Sequence, residues 1–418
     1  MKKSIVTLLL IMIALKTEAQ SSVFSVIDSL LIKGNYQEAL FTLEKEKPKT
    51  IEVLDKLGSI YQSIGNYNKA IEFYKEALSI ENREELKVKL GSAYNSTGLS
   101  SKAIAIYEDI IKNDTTNLLV TQNLGKLYLA KNKAKTAEKL YRFLKSKDSL
   151  NPNYPYQIGV CLEKRNKNLA MGQSYLDAYN LDTLHLKSIY GLSKFFKELR
   201  MKDSTMLFID KGLKIDSSNV NFIQLKANIL YSSKEFEGAI KQLTKLDSLN
   251  FKSITTYEMF GMCYYKLKEY EKAEAYFKKA LSIDRTDSKV LYRLGSLYYE
   301  QKDIKMAQLY LRQSVMFGRG DLDKQYLLSG IIEKEALNLK AAIKNFKEAV
   351  KYNYKNSDAL FQLAFTSDSY FKDLKIALKY YQRYIRNFEG KSPKLTEYAN
   401  RRIAEIKKEY FLKGEIVE

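Results

Sequence analysis

A small residue recurs along the chain at nearly constant intervals. Its positions are Ala39, Ala70, Ala103, Ala137, Met171, Thr205, Ala239, Ala273, Ala307, Ala342 and Ala377. Successive positions lie 31, 33, 34 (six times), 35 and 35 residues apart. A period of this length is typical of an array of short structural units, which escapes the size limit of a single core. The sequence therefore predicts eleven units between about residue 22 and about residue 390.

Two further markers give each unit the same internal order. In the second unit a glycine, Gly58, stands twelve residues before Ala70, with Tyr61 three residues after it, and Tyr74 follows Ala70 by four residues. Offsets of three and four residues place side chains on one face of a helix. Between the markers lies Gly65, which can take the left-handed conformation that ends a helix. Each unit is predicted to be a helix, a tight turn and a second helix.

The same markers explain how such units would pack. Small residues let two helix backbones approach closely, and the large residues fill the space beside them. One hairpin cannot bury its own apolar face, but a stack of hairpins buries that face continuously. With 18 glycines and 4 prolines in 418 residues, the composition favours long helices. The predicted fold class is all-α, with no strands.

The pattern resembles the tetratricopeptide repeat family, whose 34-residue signature contains Leu-Gly-x2-Tyr followed by Ala-x3-Phe. The segment Leu57-Gly58-x2-Tyr61 with Ala70-x3-Tyr74 matches the centre of that signature, although the family's Trp is absent and its closing Pro is almost always missing. The resemblance covers nearly the whole chain after residue 20. It implies an α-α superhelix of about eleven hairpins whose concave face, lined mainly by first helices, holds an extended peptide or a partner's helix.

The segment after the last unit is predicted to close the array. Ser392-Pro393 opens a stretch in which apolar and charged residues alternate with helical spacing, and a proline suits the first turn of a helix. A terminal helix with a polar outer face is what repeat arrays need for solubility. The predicted organisation is a signal peptide over 1–19, the repeat array over 20–390 and a capping helix within 391–418.

The amino terminus predicts export. Lys2 and Lys3 precede an apolar run from Ile5 to Leu15, and a polar stretch with the small residue Ala19 follows. This is the pattern of a secretory signal peptide cleaved after Ala19. The run is too short to cross a hydrocarbon core, which needs about 20 helical residues. We expect a periplasmic or secreted protein with no transmembrane segment in the mature chain.

The charge of the chain favours an acidic partner. Lys and Arg number 69 and Asp and Glu number 49, a formal net charge of +20. An excess of this size accelerates association with acidic molecules but does not determine the fold. The predicted export argues against nucleic acid as a partner. Acidic proteins or peptides, anionic glycans and the membrane surface are left as alternatives.

The resemblance also implies which residues face a partner. Carried over position by position, the groove-facing side chains of the first helices are Gln122, Lys126, Tyr156, Tyr190, Lys194, Lys197, Gln224, Asn228, Tyr231, Glu258, Tyr265, Lys289, Tyr292, Arg293 and Tyr299. Tyrosine is the commonest type in this set. It offers a large contact area and one hydroxyl at little entropic cost, which is why interfaces favour it.

A finer resemblance concerns family members that grip a terminal carboxylate with five Lys, Asn and Arg side chains. Asn228, Lys289 and Arg293 fall on three of these places, whereas Gln224 and Met259 replace the other two. The resemblance therefore implies an incomplete carboxylate clamp. A solvated charged face is the alternative interpretation of the same residues.

The chain offers few residues for catalysis. It has one histidine, two cysteines and no tryptophan, and it shows no glycine-rich phosphate loop, catalytic triad or zinc spacing. His185 is predicted to be an exposed structural residue between hairpins. Cys161 and Cys263 lie three units apart and are predicted to be reduced core residues, since a disulfide needs α-carbons within about 7 Å. We expect no enzyme activity, no metal and no cofactor.

Three classes of function remain open. The first and favoured class is a protein-binding scaffold of the bacterial envelope that holds a peptide or protein in its groove. The second is a glycan or cell-wall binding module, in which tyrosine rings and basic charge would contact an anionic polysaccharide. The third is a non-catalytic accessory subunit of an envelope enzyme or secretion complex.

Overall fold

The computed structural model describes residues 23–417, and every regular element in that range is an α-helix. The predicted signal peptide, 1–19, lies outside the described residues. The chain divides into two compact units, the first ending at Ile215 and the second beginning at Asp216. Each unit is a succession of antiparallel helix pairs, which confirms the all-α prediction.

The first unit contains twelve helices in its described part. In order they are α1 (23–32), α2 (Tyr36–Lys45), α3 (Ile51–Ser63), α4 (Tyr67–Ile80), α5 (Glu84–Ser96), α6 (Ser100–Asn113), α7 (Leu118–Ala130), α8 (Ala134–Lys147), α9 (Asn153–Lys164), α10 (Asn168–Leu181), α11 (Leu186–Glu198) and α12 (Lys202–Ile215). They form six hairpins in which odd-numbered helices come first and even-numbered helices second.

The second unit contains eleven helices up to residue 417. In order they are α13 (Val220–Ser232), α14 (Phe236–Ser248), α15 (Ile254–Lys266), α16 (Tyr270–Ile283), α17 (Ser288–Glu300), α18 (Ile304–Phe317), α19 (Asp323–Glu335), α20 (Leu339–Tyr352), α21 (Ser357–Tyr370), α22 (Lys375–Phe388) and α23 (Pro393–Leu412). Five hairpins and the C-terminal helix account for all of them. Together the two units hold the eleven predicted hairpins.

The recurring small residue lies on the second helix of every hairpin. All eleven side chains, from Ala39 to Ala377, are buried, including the larger Met171 and the polar Thr205. In the α11–α12 hairpin the two small positions are Ser193 and Thr205, and both are fully buried. Their hydroxyls donate to the carbonyls of Ile189 and Met201 at 2.9 and 2.8 Å. The weakest unit in the sequence keeps the common packing because each hydroxyl is satisfied within its own helix.

The glycine of the first helix makes room for the ring of the second. A β-carbon placed on Gly261 would lie 2.5 Å from the ring of Phe277, and one on Gly58 would lie 2.5 Å from the ring of Tyr74. Both rings are almost completely buried. The 16-residue spacing between glycine and ring is therefore a direct contact that fixes how the two helices of a hairpin cross.

The turn inside most hairpins contains one residue with positive φ. Glycine takes this place at 34, 65 and 98, as predicted, but later turns use Asn132, Asn166, Arg200, Lys234, Lys268, Lys302 and Leu337. A left-handed residue with a β-carbon costs about 1–2 kcal/mol. The packing of two helices outweighs that cost, so the turn survives without glycine.

Leu337→Gly is expected to stabilise the chain by up to about 1 kcal/mol, because glycine removes the strain at φ +61° and loses little packing. Leu337 is 82% exposed. The reverse change, Gly65→Leu, is expected to destabilise by a similar amount, since no atom lies within 4 Å of the added β-carbon and only the backbone is strained. Urea denaturation checks both, and two changes of the same sign would contradict the assignment of the turn.

Helix α23 packs on the last hairpin. Pro393 lies in its first turn, and Ile406 and Tyr410 are buried against the core formed by α20, α21 and α22. The Arg402 guanidinium donates to both carboxylate oxygens of Asp368 at 2.7 and 3.0 Å. A bidentate pair of this kind fixes orientation as well as adding energy. The predicted C-terminal helix is thus joined to the array by apolar contacts and by one charged pair.

Cys161 and Cys263 are free thiols, as predicted. Both side chains are completely buried. Burial raises the pKa of each thiol to about 12. Both therefore stay protonated at neutral pH and act as small core residues.

Candidate functional site

The first helices form a continuous face within each unit. Successive first helices contact one another directly, as α3 does α5 and α15 does α17. Many of them begin at a side-chain cap; for example, the Asp287 carboxylate accepts from the Val290 amide at 2.9 Å. Such caps set where each first helix starts and therefore which residues line the face. The predicted partner-binding residues all lie on first helices, α7 to α17.

In the first unit the predicted residues are partly committed to neighbouring hairpins. Lys194 Nζ on α11 donates to Glu163 on α9 at 2.7 Å, and the Tyr175 hydroxyl donates to the same carboxylate at 2.9 Å. The Tyr156 ring stacks on Tyr175 at 5.7 Å between centroids. Lys194 and Tyr156 are therefore held in place by the fold. Lys126 and Lys197 are exposed, whereas Gln122 and Tyr190 are half-buried.

His185 is structural, as predicted, but it is not exposed. Its half-buried ring caps α11: Nδ1 accepts from the Ser188 amide at 3.3 Å, and Nε2 lies 3.4 Å from Oδ1 of Asn153. The ring also meets Tyr156 edge-on. Burial lowers the pKa of His185, with an opposing influence from Asp182 and a reinforcing one from Lys187. The sequence could not reveal this packing because Asn153 lies 32 residues away.

This pairing predicts a loss of stability under mild acid. A lowered pKa in the folded state means that the unfolded chain binds the proton more readily, so stability is complete above a pH of about 6.5 and falls below it. His185 is the only histidine of the chain. The variant His185→Asn keeps a capping acceptor and should lose less stability between pH 7.5 and 5.5 in urea titrations. Equal losses in the two proteins would contradict this role.

In the second unit, Glu258 joins two predicted binding residues. Its carboxylate on α15 accepts from Lys289 Nζ at 2.8 Å and from Arg293 Nε at 3.3 Å, both on α17. Glu258 itself is buried. The two basic residues of the implied carboxylate clamp thus already have an internal carboxylate. An incoming carboxylate would have to compete with Glu258, which argues for the alternative interpretation of these residues.

A small cavity opens beside this pair. Its volume is about 180 Å³, and it lies between α15, α16 and α17. The lining side chains are Met262, Tyr265, Lys266, Phe277, Tyr292, Arg293 and Ser296. Phe277 closes the bottom because it is completely buried. The cavity combines aromatic walls, an apolar floor and two cations, a composition that suits an anchoring side chain.

The tyrosine hydroxyls of this region are protonated donors. Burial raises the pKa of Tyr265 to about 12, and burial also raises the pKa of Tyr231, which feels the charges of Arg293 and Glu258. Tyr231, Tyr265 and Tyr292 are named here the tyrosine patch. They lie on α13, α15 and α17 and are each half-buried, so part of every ring remains accessible. Gln224 and Asn228 lie on the same helix as Tyr231 and are also half-buried.

Tyr299 lies apart from the patch. Its hydroxyl donates to Glu335 on α19 at 2.7 Å, and Lys302 approaches its ring. Met262 and Ser296 line the cavity although the sequence did not predict them as binding residues. Each follows the marker glycine of its first helix by one residue, the same place that Lys126 occupies after Gly125. That register is the signal by which they could have been found.

The described residues include no group of three or more His, Cys, Asp or Glu side chains placed to hold a metal ion. Within the same residues, none of the helices combines the length and apolar character that crossing a membrane requires.

Comparison with protein families agrees with this geometry. Two models described as tetratricopeptide repeat match residues 51–83 and 252–315. The chain carries tetratricopeptide repeats. A third model, described as anaphase-promoting complex, cyclosome, subunit 3, matches residues 199–280 of the tetratricopeptide array. No curated protein matches the chain.

Solved structures with similar folds are also tetratricopeptide repeat proteins or assemblies of helical arrays. Yeast Tom70 is 13% identical over 93% of this chain and 96% of its own, with a TM-score of 0.48. A tetratricopeptide repeat protein from Parabacteroides merdae is 16% identical over 62% of this chain and 98% of its own, with a TM-score of 0.47. The Cut9–Hcn1 assembly is 14% identical over 90% and 82%, with a TM-score of 0.46.

Proposed function

We propose that the chain is a non-catalytic scaffold of the bacterial envelope that binds a peptide or protein segment along its first helices. Tetratricopeptide repeats generally mediate contacts between proteins. The envelope assignment rests on the signal peptide expected over 1–19, and the preference for an acidic partner rests on the net charge of +20.

The observation that carries the binding surface is the tyrosine patch with its cavity. Interface energy concentrates in a few buried aromatic and Arg side chains next to pockets. Tyr265 and Tyr292 line such a pocket, and Arg293 is oriented there by Glu258. Since Glu258 offsets part of the positive charge, we expect the anchor of the partner to be an apolar or aromatic side chain. Acidic residues of the partner would then face Lys266 and the outer lysines.

A site-specific cross-link tests the proposal. Tyr265 is replaced by a photoreactive benzoylphenylalanine in the full chain, and cells are irradiated before the envelope is extracted. The expected result is one major cross-linked protein. The same residue at Lys241, which is exposed on the second helix α14, is the matched control and should give no such product.

The outcome also separates the alternative functions. Retention of the purified chain on purified wall polysaccharide, together with no protein cross-link from position 265, would replace the proposal by a glycan-binding function. A cross-link of equal yield from positions 241 and 265 would place the binding surface elsewhere. An enzyme as the cross-linked protein would identify the chain as an accessory subunit.

A further inference from the structure

An apolar groove lies on the second helix α20, away from the first-helix face. Two adjoining cavities, of about 610 and about 350 Å³, share Lys340, Lys344 and Tyr370 as lining residues. We name this surface the α20 groove and define it by Leu337, Leu339, Lys340, Lys344, Lys347 and Tyr370. Ile343 and Phe371 complete its floor, and the Tyr370 and Phe371 rings meet edge-on at 4.9 Å.

Leu337 at the mouth of the groove is unfavourable in two ways. It is 82% exposed, and its φ of +61° lies in the left-handed region. The other described hairpin turns with a left-handed residue place glycine, asparagine, arginine or lysine there. An exposed leucine in a strained conformation gains nothing from the contacts of the isolated chain. A strained residue of this kind is a reason to look for a binding role.

The rim of the groove carries uncompensated positive charge. Lys340, Lys344 and Lys347 are all exposed, and among residues 23–417 none of them makes an ion pair or a side-chain hydrogen bond. The neighbouring Glu348 is paired instead with Lys351, at 3.3 Å. Positions i, i+4 and i+7 share one helix face and span about 10 Å along the axis. A row of three cations therefore runs beside the apolar floor.

We infer that the α20 groove is a docking site for an acidic amphipathic helix of a partner protein. Leucine-like side chains of such a helix would cover Leu337, Leu339 and Tyr370, as amphipathic helices generally fill apolar grooves. Carboxylates one turn apart on the partner helix would meet Lys340 and Lys344, which are also one turn apart. The charge steers the encounter, and the apolar contacts hold the complex. This site is separate from the tyrosine patch, and a partner could use it whether or not the first helices bind a peptide.

A designed peptide tests the inference on the full chain. The probe is an 18-residue, fluorescein-labelled helix with leucine at i, i+3, i+4 and i+7 and glutamate elsewhere; the control probe has lysine in place of glutamate. Fluorescence anisotropy should show micromolar binding of the glutamate probe and at least tenfold weaker binding of the lysine probe. The double variant Lys340→Glu with Lys344→Glu should weaken the glutamate probe at least tenfold.

Two further variants separate binding from stability. Leu337→Gly should weaken the probe at least fivefold although it raises the stability of the free chain. The pair Lys241→Glu with Lys245→Glu puts the same charges one turn apart on α14, where both lysines are exposed, and should leave the affinity within twofold. Tyr265→Ala should also leave it unchanged, which keeps this test independent of the proposed function.

Two results would overturn the inference. One is that Leu337→Gly and the α20 charge reversal leave the affinity of the glutamate probe unchanged, or that the α14 reversal weakens it equally. The other is that the peptide does not bind, whereas phosphatidylglycerol vesicles bind the parent and not the Lys340→Glu, Lys344→Glu variant. That second result would assign the lysines to an anionic membrane surface.

Discussion

Phe277→Ala should lower the free energy of unfolding by about 3–5 kcal/mol, the range for removal of a large buried ring. Phe277 is completely buried and lies against Gly261, where no side chain can close the resulting space. In a repeat array stability is a sum over neighbouring interfaces, so the loss should appear in the hairpins around α16 before it spreads. Urea denaturation followed by circular dichroism measures the loss.

The control for this change is Ser282→Ala on the same helix. Ser282 is exposed and donates only to the carbonyl of Lys279, so its removal should change stability by less than about 0.5 kcal/mol. A loss below about 1 kcal/mol for Phe277→Ala would mean that the ring is not part of the hairpin core. The pairing of marker glycine and ring would then have to be redrawn for every unit.

The hairpins could be predicted from the sequence because their contacts are local and repeated. Ala273, Gly261 and Phe277 meet within 16 residues of chain, and the same three places recur in most units. A substitution at one of them produces a direct clash, as the 2.5 Å approach at Gly261 shows. The period therefore records a packing requirement, and it remains visible even where Ser193 and Thr205 replace the usual residues.

The candidate site was less predictable because it depends on contacts between hairpins. Position alone placed Lys194 and Lys289 on the face, but it did not show that Glu163 and Glu258 pair with them. These pairs have a common spacing: each acid lies 31 residues before its base. Opposite charges one repeat apart on first helices are thus a sequence signal for side chains that join hairpins. By that signal Lys289 belongs to a pair between hairpins and not to a clamp.

The turns illustrate a different limit. Glycine at 65 is predictable from its conformational freedom, but Leu337 adopts the same left-handed φ without any local preference for it. The energy that holds the turn comes from α19 and α20 packing together, which no four-residue pattern contains. A residue that breaks the local preference while its neighbours obey it is therefore visible only in the structure. This is why the α20 groove was absent from the sequence prediction.

Tyr231→Ala combined with Tyr265→Ala should weaken the cross-linked partner by more than about 2 kcal/mol, roughly 30-fold, because aromatic anchors carry most interface energy. Both rings are half-buried on first helices and also pack on Phe236 and Tyr270 of the second helices. The variants Tyr231→Phe and Tyr265→Phe retain that packing, and should lose less affinity than the alanine pair. Calorimetric titration of the partner against each purified chain gives the comparison.

Two controls decide whether the effect belongs to the patch. Tyr36→Ala with Tyr354→Ala removes two exposed tyrosines outside it and should change the affinity less than twofold. Lys266→Glu at the cavity edge should mainly slow association and reduce its salt dependence, since exposed charge steers encounter rather than holding the complex. Equal losses for the two tyrosine pairs, at unchanged helical content, would contradict the first-helix surface. The anchor would then have to be sought on the second helices, where the α20 groove offers another apolar surface.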